Sequence, residues 1–242
     1  MPSNFVYEIC ANGVENCVAA QNAGADRVEL CAALGEGGTT PSYGEIRQAR
    51  ELLNTTKLHV IIRPRGGDFI YTPLEIERMI NDIKLCKGLG VDGVVFGCLN
   101  DRGEVCMERN AILKQVAEGM STTFHRAFDR CNDAEEGLER IISLGFDRLL
   151  TSGQKPTAEE GIPMLKHLNE KANGRIVILA GSGINETNIL KIQQSTDINE
   201  FHFSARENIF NREDKEFGCQ TQTTVRRIHE IISPLNEAKA KP

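Results

Sequence analysis

No apolar run in this chain of 242 residues approaches the ~20 that a membrane-spanning helix needs, so nothing in it reads as a bilayer span. The opening stretch MPSNFVYEIC has neither a basic n-region nor a long apolar h-region, which argues against a secretory leader and for the cytoplasm. None of the eight cysteines falls in a CxxC pair. In a reducing compartment that spacing predicts core thiols rather than a disulfide framework or a structural zinc site. The chain also lacks a basic cluster: 28 Lys and Arg are scattered against 34 Asp and Glu, for a net charge of -6, which argues against a nucleic-acid surface and favours a small molecule or an ion as ligand. There is no low-complexity linker, so a single domain over 1–242 is predicted, ending in a loose polar tail, NEAKAKP, at 236–242.

What the chain does have is alternation. Strand-like stretches near 4–10, 26–31, 57–63, 92–97, 121–126, 147–151, 175–180 and 199–204 are each followed by a segment of helical spacing. Eight such units in 242 residues, about 30 each, predict an α/β fold with a parallel sheet closed into a TIM (β/α)8 barrel. Helix starts are marked by Ser42 to Glu45, Thr72 to Glu75 and Thr157 to Glu160, all of capping-box form. The stretches AGADRVEL, GVDGVVFG and GFDRLLTSG repeat one punctuation, a glycine that closes a helix and then Asp26, Asp92 or Asp147 leading into a strand.

Strand alternation assigns faces. Tyr7, Ile9, Val28, Leu30, Leu58, Val60, Ile62, Phe124, Phe201 and Phe203 suit the helix layer, which turns Glu8, Cys10, Arg27, Glu29, Cys31, His59, Arg63, His125, His202 and Ser204 inward. Charge buried there must be paired or put to use. One reading has Arg27, Glu8, Glu29 and Arg63 satisfying one another as an internal ion network. The other notes that Glu8, Cys10, Glu29, Cys31, Arg63 and His125 stand at strand C-terminal ends, the face on which barrels build their sites.

The loops on that face are rich in glycine. RPRGGDFIYT after the third strand offers Arg63 and Arg65 beside Gly66 and Gly67 as an anion cradle. LAGSGI after the seventh offers Gly181, Ser182 and Gly183 before a helix with Asn185 as its N-cap, and LTSGQKPT adds Ser152 and Lys155 to the rim.

The stretches RVELCAALGEGGTTPS, IIRPRGGDFIY, TFHRAFD, LTSGQK and LAGSGI, in this order, resemble the CutC family of copper homeostasis proteins, from about Phe5 to Ala205. The resemblance implies a TIM barrel, a cytoplasmic location, a homo-oligomer (dimer or tetramer) and a role in copper tolerance or trafficking. It also implies Cu(I) bound near the barrel mouth by the cysteines that end YEIC and VELC, here Cys10 and Cys31; the other six cysteines match no such position. Two thiolates on neighbouring strands suit Cu(I). The alternative is a TIM-barrel enzyme for a small phosphorylated or carboxylated anion, with Glu8, Glu29 or His125 as acid or base and Arg63 and Arg65 holding the charge.

Overall fold

The computed structural model describes residues 5–208 and 221–240. The predicted barrel is there: β1 (Val6–Asn12), β2 (Arg27–Cys31), β3 (Lys57–Ile61), β4 (Gly93–Phe96), β5 (Ser121–Phe124), β6 (Arg148–Thr151), β7 (Val177–Gly181) and β8 (Glu200–Phe203) close in sequence order, every neighbouring pair parallel. Residue 4, the expected start of the first strand, lies outside the described residues. The helices α1 (Val14–Asn22), α2 (Tyr43–Leu52), α3 (Pro73–Gly88), α4 (Met107–Val116), α5 (Ala134–Ser143), α6 (Ile162–Ala172), α7 (Ile189–Thr196) and α8 (Val225–Ala240) form the outer ring, and none of the described helices is long and apolar enough to cross a membrane.

The outward side chains named above are buried with helix residues such as Ile46, Met79, Ile83, Leu138, Leu165 and Ile192 in one apolar layer. Gly24, Gly90 and Gly145 take the left-handed conformation that lets each helix stop, at φ 77°, 71° and 73°. The aspartate that follows then links three strands. Asp26 Oδ2 accepts the N–H of Tyr7 in the preceding strand (2.8 Å) while its carbonyl accepts the N–H of Lys57 in the next (3.0 Å). Asp92 does the same for Leu58 and Ser121, and Asp147 for Thr122 and Val177. At the bottom of the barrel these carboxylates satisfy strand N–H groups that the parallel ladder leaves over.

Two capping boxes are complete, at Ser42/Glu45 and Thr72/Glu75. The third, Thr157/Glu160, caps a turn instead, because α6 begins only at Ile162 after Gly161. Asn185 likewise caps a turn, accepting from Thr187, and α7 starts after Asn188. The tail forecast for 236–242 is corrected over 236–240, while residues 241 and 242 lie outside the described residues. Residues 236–240 continue α8, which Leu235 anchors by complete burial and Asn236 ties to the Tyr7 hydroxyl. Between β8 and α8 the chain adds an antiparallel pair, β9 (Arg206–Asn208) and β10 (Thr221–Thr223), which strand–helix alternation did not foresee. Cys17, Cys86, Cys98 and Cys131 are buried free thiols, as core use predicts, and Cys219 lies outside the described residues.

Within the barrel, His59 fills the space that Gly93 leaves empty on the paired strand: a Cβ at Gly93 would stand 2.5 Å from His59 Nε2. Burial pushes the His59 pKa down to about 4, so the ring packs as a neutral group. Gly93→Ala is therefore expected to destabilise the fold by about 1–3 kcal/mol through overpacking, and Gly93→Ala with His59→Ala to lose less than the two single changes summed. Urea denaturation of the three variants measures this, and strict additivity would count against the contact.

Candidate functional site

The site begins with a charge chain inside the barrel. Glu8 in β1 is fully buried and is met by Arg27 Nε from β2 and by His202 Nδ1 from β8 at 2.7 Å. Arg27 also holds Glu200 (2.7 Å), and Glu200 in turn takes Arg148 (3.0 Å), which reaches Ser121. Burial alone would raise the Glu8 carboxyl, yet Arg27 and His202 outweigh it and hold the group well below its ordinary pKa. The internal ion network is thus real, with a different membership. Glu200, Arg148 and His202 belong to it and Arg63 does not.

Arg63, just past β3, spends three N–H bonds on the carbonyls of Glu36, Gly38 and Gly67, at 2.8 Å each, and so ties the second and third loops together over the mouth. Arg65 stands apart from the cavity lining. Its guanidinium is taken up by Glu75 (2.7 Å), Asp68 (3.0 Å) and the carbonyls of Gly66, Asp68 and Ile70, and it fastens the third loop to the start of α3 rather than waiting for an anion. Gly181 is a packing glycine, since a Cβ there would lie 2.5 Å from Leu150 Cδ1. Ser182 and Gly183 do line the mouth. Ser152 is buried and bound to Asp129, whose carboxylate also receives Thr151 and the N–H of Gln154; neither Ser152 nor Lys155 borders the cavity.

Above the charge chain lie the two thiols. Cys10 pairs in register with Glu29 and Asn12 with Cys31, so the cysteines are staggered by two residues along the strands. Their Sγ atoms nonetheless stand 4.0 Å apart, and Glu29 Oε2 lies 3.4 Å from Cys31 Sγ. Cys10, Glu29 and Cys31 are the one group of metal-type ligands among the described residues whose donor atoms all lie within 4.8 Å of one another. The two sulfurs stand within hydrogen-bond reach and titrate as a pair. The hydrogen bond from Cys31 takes the Cys10 thiol well below its ordinary pKa, against burial and with help from His202 and Arg206, while the same bond and burial push Cys31 well above. His202 is pulled toward neutrality by burial, but its bonds to Cys10 and Glu8 and the nearby Glu29 carboxyl raise it well above the usual range. Burial pushes Glu29 up to about 8.

These groups form one wall of a cavity of about 410 Å³ that also meets Phe69, His125, Ser204 and Arg206. Of the residues singled out by sequence, Cys10, Glu29, Cys31, Arg63, His125, Ser182 and Gly183 come together here, Glu8 lies directly beneath, and Arg65 and Gly181 do not line it. His202 is a functional side chain missing from that set, although the alternation in EFHFSA already turns it inward.

The family model of the CutC family matches residues 5–207. The chain belongs to the CutC family. A CutC family protein of Bacteroides fragilis is 54% identical over 248 residues, spanning 97% of this chain and 99% of that protein. One from Bacteroides thetaiotaomicron is 60% identical over 205 residues, spanning 85% and 82%. Among solved structures, the putative copper homeostasis protein CutC from Streptococcus agalactiae superposes with a TM-score of 0.79 at 35% identity, over 83% of this chain and 98% of that one.

The asymmetry of the thiol pair in this CutC family member has a direct readout. Cys10, half-buried and with its thiol pKa held well below the ordinary range, is expected to be alkylated by iodoacetamide well before the buried Cys31, and to keep reacting at a lower pH than an ordinary thiol does. Peptide mass spectrometry against time gives both rates; faster labelling of Cys31 would contradict the opposite shifts of the two thiols.

Proposed function

We propose that this protein serves copper homeostasis in the cytoplasm by carrying Cu(I) as cargo on Cys10 and Cys31 at the C-terminal mouth of the barrel. The observation that supports it is the 4.0 Å separation of the two sulfurs, one of which, Cys10, has its pKa held well below that of an ordinary thiol. Metal–sulfur bonds of about 2.3 Å span such a gap with an angle near 120° at the ion, which leaves room for a third donor. Glu29 is within reach, and thiolates prefer a soft monovalent ion to the hard cations a carboxylate cage would select. The donor set therefore fits copper(I), and His202, raised well above its ordinary pKa, favours the thiolate of the Cys10 it bonds. The likeness to the Streptococcus agalactiae copper homeostasis protein points the same way, and the unpaired cysteines among the described residues agree with a reducing compartment.

Anaerobic Cu(I) titration against a competing chelator tests the reading. Wild type is expected to take one ion, and Cys10→Ser with Cys31→Ser to lose at least about a hundredfold in affinity, whereas Glu29→Gln, at the edge of the donor set, loses about tenfold or less. Equal copper affinity in the wild type and the double serine variant would remove the proposal.

A further inference from the structure

The copper reading uses one wall of the mouth cavity, and the opposite wall carries polar groups that it leaves idle. His125, at the end of β5, is only 4% exposed. Its Nδ1 accepts the N–H of Ala127 at 3.3 Å, so that nitrogen holds a lone pair and the proton sits on Nε2. Burial, with Arg63 nearby, pushes the ring down to about 3 and keeps it neutral. Nε2–H is therefore a fixed donor, and it has no partner among the described residues. Across the cavity Glu29, also 4% exposed, engages Cys31 through Oε2 and leaves Oε1 without a partner among the described residues. Buried polar atoms are rarely left so, and both residues border one cavity.

The surroundings set the charge and size of that ligand. Phe69 packs on the His125 ring with centroids 5.0 Å apart and carries the Arg63 guanidinium 5.0 Å over its own face, which puts a fixed positive charge behind the donor. Arg126 and Arg206 border the same opening. After β7, Ser182 holds the left-handed backbone at φ 83°, unusual for a residue other than glycine, and is kept there by its Oγ bond to the Pro156 carbonyl (2.8 Å). That strained turn brings residues 182–185 to the cavity wall. A cavity of about 410 Å³ suits a ligand of small-metabolite size.

We propose that the mouth cavity binds a small hydroxycarboxylate, with a carboxylate oxygen accepting from His125 Nε2–H and a hydroxyl meeting Glu29 Oε1. A hydroxyl fits that position because it donates to an ionised Glu29 and accepts from a protonated one. A carboxylate's single charge suits the other wall, where Arg63 has given three of its five N–H groups to loop carbonyls and keeps a buried Nε–H without a partner among the described residues.

Calorimetric titration of the copper-free protein with malate, glycolate and inorganic phosphate tests this. Saturable binding of malate or glycolate is expected in the wild type and, within about threefold, in Cys10→Ser with Cys31→Ser. His125→Leu is expected to lose about tenfold or more, and His125→Gln, which restores an N–H near the Nε2 position, to recover part of that loss. Because His125→Leu could fail to fold, the wild-type protein supplies a second readout: malate should move the ¹⁵N and proton resonances of His125 Nε2–H. No saturable carboxylate binding, an unmoved Nε2 signal, or tighter binding of phosphate than of either carboxylate would overturn the proposal. Loss of carboxylate binding in the serine variant would overturn it too. The copper titration stands or falls separately.

Discussion

Glu8 carries a full negative charge at the centre of the barrel, and much of the site depends on how that charge is balanced. Below it Arg27, Glu200 and Arg148 run on as a chain of alternating sign. Above it His202 takes the remaining oxygen and is held as a cation beneath the thiols. An ion isolated at this depth would cost several kcal/mol, so the members of the chain stand together. Sequence supplies the charges on four different strands; closure of the barrel makes β1 and β8 neighbours and brings Glu8 to His202.

The loops over the mouth rest on a second kind of compensation, in which side chains satisfy backbone carbonyls. Arg63 binds three of them and Arg65 three more, so two glycine-rich segments that could take many conformations are pinned in one. Asp129 does the same for the turn after β6, accepting its backbone N–H groups. Several charged residues of the family motifs therefore build the frame around the cavity, while Cys10, Cys31, Glu29 and His125 face into it. The division explains why an arginine beside a glycine pair looks like an anion cradle in the sequence: the same groups that can hold a phosphate can hold a loop.

Much of the molecule is legible in the order of its residues. The eight-unit beat gives the barrel, period-two alternation gives the polar interior down to His59 and His202, and Glu8-x-Cys10 with Glu29-x-Cys31 points to the mouth. Errors gather where local pattern is ambiguous. Thr157 and Asn185 have capping chemistry but cap turns, because a turn and a helix start expose the same N–H groups. The NEAKAKP segment reads as polar and loose, yet one buried leucine just before it and one hydrogen bond from Tyr7 accompany the continuation of residues 236–240 as helix.

By itself the sequence determined the fold class, the inward set of side chains and the family, because alternation and motif order are properties of the chain alone. Tertiary structure decided which of those side chains meet. Cys10 and Cys31 are two residues out of register, yet their sulfurs come within 4.0 Å. Arg63 turned to carbonyls instead of glutamates, and His125 received its tautomer from a neighbouring N–H. Distances and hydrogen-bond partners of this kind depend on strand tilt, barrel closure and loop packing, which couple residues such as Glu8 and His202, 194 positions apart, and leave no mark in local spacing.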